Sequence, residues 1–140
     1  MPATSPTEKP SHWNSYGLDQ IAQRLVLDAK GRDPQSLNQA YKMRMATAYG
    51  LERFWGEHLR LERRDSAGAS FWQDTWTALV QVMGQAGVTI PNQSVNADNV
   101  QSIRTMSEQL WQIPPEDQRV ALAVLTQLCD CIVWWTQRYK

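Results

Sequence analysis

DPQSLNQAYKMRMATAYGLERFWGEHLRLERR, residues 33–64, is the stretch whose reading decides the fold. Asp33 is a good N-cap, and Pro34 falls at the first helical position, where its missing N–H costs nothing. An apolar stripe then runs through Leu37, Tyr41, Met45, Ala48, Leu51, Trp55 and Leu59 in steps of three and four, the spacing of one helix face. The pattern predicts one long amphipathic helix ending near Arg64. Gly50 and Gly56 interrupt good helix formers at a cost of ~1 kcal/mol each against alanine, which predicts close packing or a bend.

Outward from this stretch the same periodicity recurs. Leu18, Ile21, Ala22, Leu25 and Ala29 predict a helix upstream, with Gly31 placed as its C-terminal cap. Downstream, Ser66 to Ala69 reads as a loop. Ser70 and Gln73 then form a capping box ahead of Phe71, Trp72, Trp76, Leu79, Val80 and Met83, and Gly84 or Gly87 stops that helix. Asp98 caps a fourth helix through Val100, Ile103, Met106 and Leu110. Pro114 and Pro115 with Glu116 and Asp117 open a fifth, since carboxylates suit the positive end of the helix dipole. Val120 to Trp135 is apolar nearly all round, which predicts the most buried helix. Val88 to Ile90 has strand composition but no second strand to pair with. The expected fold is all-α, a compact bundle of about five helices joined mostly by short turns. Residues 13–140 form its single domain, with Trp13 and Tyr16 marking where the chain docks. Residues 1–12, with Pro2, Pro6 and Pro10 among small polar residues, read as a disordered tail.

Composition narrows the classes. A formal net charge of zero leaves no global field to steer the protein toward DNA or an anionic membrane, so any anion site is local. Seven tryptophans in 140 residues exceed what a core of this size needs and favour a binding partner. The two cysteines, Cys129 and Cys131, diverge on a helix and read as buried free thiols of a reducing, cytoplasmic protein. No signal peptide is evident, and no apolar run approaches the ~18 residues that span a bilayer, so no membrane is expected.

Catalytic motifs are missing. Gly84 and Gly87 do not lead into a phosphate-binding lysine and hydroxyl, and no serine sits in a nucleophile elbow. His12 lies at the edge of the tail. His58, beside Glu57 and four residues before Glu62, offers a histidine–carboxylate pair whose ordinary role is structural. The di-iron arrangement of glutamate and histidine on two helices is also missing. No catalytic residue, metal site or cofactor is expected, and the protein reads as non-enzymatic.

One surface is more informative. On a continuous helix at 100° per residue, Lys42, Tyr49, Arg53, Arg60 and Arg64 fall within about 60° of arc, with Arg63 beside them and Glu52 and Glu57 flanking. The apolar stripe is centred roughly 130° away, so this strip is expected to face outward over roughly 33 Å. Cations in a line displace counterions from phosphates and an exposed tyrosine stacks on a base, which makes RNA a candidate ligand. A plain solvated face, partly neutralised by Glu52 and Glu57, is the alternative. A second surface is aromatic. Trp134 and Trp135 point about 100° apart. Tyr139 shares the face of Trp135, and Arg138 and Lys140 rim the group. With Trp111, these aromatics are the candidate sites for other protein subunits.

Two stretches resemble the small helical subunits of type III CRISPR effector complexes. One is the segment Ala40 to Tyr49, rich in alanine, tyrosine and basic residues, and the other is the aromatic, basic end from Leu128 to Lys140. Together they cover under a fifth of the chain. The resemblance implies a cofactor-free subunit stacked along a guide–target duplex and contacting its backbone through basic residues. The sequence is therefore read as a non-enzymatic helical subunit of a larger cytoplasmic assembly, with RNA as a candidate partner. The alternative is a protein-only adaptor, chaperone or assembly factor using its exposed aromatics. A third reading is a small enzyme or ligand-binding bundle with a pocket among them.

Overall fold

The computed structural model describes residues 17–140, so the expected tail, His12 and the docking of Trp13 and Tyr16 lie outside the described residues. The described chain is all-α, with six α-helices and no strand. They are α1 (Leu18–Arg32), α2 (Gln39–Ala46), α3 (Leu51–Leu61), α4 (Ser66–Gln85), α5 (Val100–Trp111) and α6 (Pro115–Tyr139). Short 3-10 turns, Pro34–Asn38 and Thr47–Tyr49, precede and follow α2.

The long second helix expected from residue 34 to 64 is four pieces, two α-helices and two 3-10 turns. Asp33 does cap, accepting from the Gln35 amide at 2.9 Å, but what it caps is the first 3-10 turn. The decisive break is Gly50, at φ 97° and ψ 176°, a backbone conformation that is essentially glycine-only. Because the phase resets there, the apolar stripe read across the break does not share one face. Leu37, Leu51 and Trp55 are buried, but Tyr41, Met45 and Ala48 are exposed; α2 turns Ala40 and Met43 inward instead. Gly56, by contrast, stays helical with no close neighbour.

Two other boundaries shift for local reasons. Residues 66–69 belong to α4, because Asp65 accepts from the Gly68 amide at 2.9 Å and starts the helix four residues before the expected capping box. α5 is capped by Asn99, one residue after the expected Asp98, through a bond from the Ser102 amide at 3.1 Å. Gly31 lies inside α1, which runs two residues further than expected. The segment between α4 and α5 is a loop, pinned by the buried Ile90 and Val95 and by the Trp76 indole donating to the Pro91 carbonyl at 3.1 Å.

α4 is the central helix. Ten of its 20 residues are buried, against seven of 25 in α6. This overturns the expectation that α6 is the most buried: α4 packs against α1, α2, α3 and α6, whereas α6, packed on α1 and α2, leaves Val120 and Trp134 exposed. Phe54 of α3 meets Trp72 and Trp76 of α4 with ring centroids 4.8 and 6.4 Å apart, the aromatic centre of the core. α1 and α6 run side by side in the same direction: Asp19 lies near Cys131, and Lys30 donates to the Tyr139 carbonyl at 2.7 Å. α2 crosses α6 antiparallel, joined by Arg44–Asp130 at 2.6 Å and Gln137–Tyr41 at 2.6 Å. By length and composition α6 is apolar enough to cross a bilayer, with a mean hydropathy of 1.3 over its best window, contrary to the reading of the apolar runs. A core helix meets the same measure.

Candidate functional site

The elbow at Gly50 changes what the basic residues do. Instead of all lying along a straight 33 Å line, two of them, Lys42 and Arg53, line a groove of about 410 Å³ between α2 and α3. Tyr41, Lys42, Met45, Ala46, Tyr49, Arg53 and Glu57 line it, with the buried Trp72 of α4 at its floor. Three of these are large apolar side chains left in solvent: Tyr41 is 55% exposed, Met45 70% and Tyr49 69%. Tyr41 and Met45 are exposed because α2 is two turns long and spends its inward face on Ala40 and Met43, and Tyr49 ends the 3-10 turn that follows.

Charge gathers at the same mouth. Glu57 is held below the usual glutamate range, first by a forked bond from Arg60, with contacts at 2.6–3.0 Å, and further by the nearby charges of Arg60, Lys42 and Arg64. Partial burial opposes that shift. Arg60 is thereby committed to Glu57. Among the described residues no carboxylate lies within ion-pair distance of Lys42, Arg53 or Arg64. Arg53 places its guanidinium 5.8 Å over the Tyr49 ring, a cation–π contact that covers one face of that ring. Arg63 turns away and pairs with Asp98 ahead of α5. Glu52 faces α5, accepting from the Ser107 hydroxyl at 3.1 Å.

The aromatic residues do not form one surface. Trp111 is 65% exposed at the end of α5, where its carbonyl accepts from Gln118 early in α6. Trp134 is 53% exposed sixteen residues beyond Gln118, about 24 Å along the helix, with Arg138 5.1 Å above its ring. Trp135 and Tyr139 are partly buried and stack on each other at 5.8 Å, and the Tyr139 hydroxyl accepts from Gln23 of α1. That pair serves the α1–α6 seam.

No family model, curated protein or solved structure matches this chain.

The remaining chemistry-bearing residues are absorbed by packing. His58 is buried and its Nδ1 lies 2.6 Å from the Trp55 carbonyl, while Glu62 accepts from the Ala97 amide, so the suggested histidine–carboxylate pair does not form. Cys129 and Cys131 are free thiols. Burial pushes the Cys131 thiol up to about 12, helped by the Asp19 carboxylate, and raises Cys129 as well. The exposed apolar side chains of the groove went unnoticed in the sequence because the helical stripe assigned Tyr41 and Met45 to the core. The glycine at position 50 was the signal that could have released them.

Proposed function

We propose that the protein is a non-enzymatic helical subunit of a larger cytoplasmic assembly, and that the α2–α3 groove is the surface by which a protein partner holds it. One observation carries the proposal. Tyr41, Met45 and Tyr49 are concentrated in a single groove rimmed by uncommitted cations. Scattered exposed apolar side chains need no explanation, but a contiguous patch framed by polar residues is the signature of an interaction site. Tyrosine, arginine and methionine are also the residues that enrich interface centres.

The test places a photo-crosslinking amino acid at Met45 and, as the comparison, at Val100, which is 75% exposed on α5. In the cells that make the protein, a discrete adduct from position 45 and none from 100 is the expected result. Adducts from position 100 with none from 45 would overturn the assignment.

A nucleic-acid strand is the second reading, supported by Lys42, Arg53 and Arg64 standing without ion-pair partners, and it is the one that the resemblance to CRISPR small subunits favours. Three phosphate contacts predict a log–log salt slope of about −2 for single-stranded RNA. Binding with that slope, lost in the Lys42→Glu/Arg53→Glu variant, would favour this reading over a protein partner.

A further inference from the structure

We infer that the occupant of the groove is an acidic amphipathic helix of a partner protein, its apolar face seated on Tyr41, Met45 and Tyr49 and its carboxylates on Lys42 and Arg53. The inference rests on the groove being the contact surface and adds the chemistry of what fills it.

Four features select this occupant. The floor and walls are hydrocarbon and aromatic, from Ala46, Met45, the two tyrosines and Trp72, so affinity comes from burying apolar side chains there. Phosphates would find nothing on those walls. The cations stand only at the rim, where they meet carboxylates that flank an apolar face, the arrangement of a helix laid in a groove. Methionine adapts to side chains of varied shape, which suits a surface that receives a helix from another chain. The groove walls, α2 with 8 residues and α3 with 11, are about 12 and 16 Å long, which matches two to three turns of a docked helix.

The test titrates the full chain against a fluorescent synthetic peptide. The peptide is a helix of about three turns with leucine and phenylalanine at i, i+3, i+4 and i+7 and glutamates on both flanks, so that its apolar residues share one face. A scrambled peptide of the same composition, a version with lysine replacing each glutamate, and oligouridylate RNA serve as comparisons. The acidic amphipathic peptide is expected to bind at least about tenfold more tightly than the scramble and the lysine version. Lys42→Glu/Arg53→Glu is expected to weaken it by about tenfold, the scale of two rim ion pairs turned repulsive. Met45→Asp, at an exposed position and with its fold checked by circular dichroism, is expected to weaken it at least as much, and Trp111→Ala not at all.

Equal binding of the ordered and scrambled peptides would overturn the inference, as would indifference to Met45→Asp. Tighter binding of oligouridylate, lost in the same variants, would assign the groove to nucleic acid. If neither probe binds but the crosslink at position 45 forms, the helix is the wrong occupant and the groove is still the contact surface. If the crosslink is absent as well, both conclusions fall.

Discussion

Thr136 is almost fully enclosed in α6, and among the described residues its hydroxyl has no hydrogen-bond partner. A buried polar group left unsatisfied costs free energy that an apolar group of the same shape does not. Thr136→Val is therefore expected to stabilise the protein by about 1 kcal/mol, read as a rise in the urea midpoint at unchanged slope. The thiols give a second test at this scale. Only the thiolate attacks an alkylating reagent, and a raised pKa removes it from neutral solution. At pH 8 Cys129 and Cys131 are expected to take up iodoacetamide far more slowly than free cysteine, with denaturant restoring the ordinary rate; prompt double labelling of the folded chain by intact mass would contradict this. Local roles of this kind were partly legible in the sequence. Asp33 was readable as a cap because its side chain reaches only the next turn. The actions of Asp65 and Asn99 were missed because several polar residues nearby could cap equally well, and tertiary packing chooses among them.

Gly50 decides how α2 and α3 meet. Alanine has room there, since nothing lies within 4 Å of a built Cβ, but φ 97° is unfavourable to any L side chain. Gly50→Ala is expected to cost about 1–3 kcal/mol in urea unfolding, while Gly56→Ala, inside regular helix, is expected to stabilise by about 1 kcal/mol. At the start of α4, a Cβ on Gly68 would overlap the Asp65 carboxylate that caps the helix. Gly68→Ala and Asp65→Ala are each expected to cost about 0.5–2 kcal/mol, and the double variant little more than either alone, because both remove one cap. Helical periodicity located every one of these elements yet ran straight through Gly50. A wheel assumes a constant 100° step, and one residue outside the helical region resets the phase without altering the apolar spacing on either side. Lys42, Tyr49 and Arg53 were thus legible as neighbours, and the groove between them was not.

In the whole molecule, depth follows position among neighbours more than the apolarity of any helix. α6 is apolar around most of its circumference but carries exposed Val120 and Trp134; α4 is enclosed because four other helices, α1, α2, α3 and α6, pack against it. Leu79→Ala at the buried centre of α4 is expected to cost about 2–5 kcal/mol, and Val120→Ala on exposed α6 less than about 0.5 kcal/mol, compared by urea denaturation. The all-α class could be read from spacing alone, whereas the split of residues 34–64 and the central role of α4 required knowing which faces meet. The pairing of α1 with α6 has a consequence in time. The 82 residues from 33 to 114 separate the two helices along the chain. At ~5–20 residues per second, α1 is made about 4–16 s before the first residue of the helix that covers it. During that interval Ala22, Leu25, Val26 and Ala29 lack their largest eventual partner, so the nascent chain is most in need of a chaperone between the synthesis of its first described helix and its last.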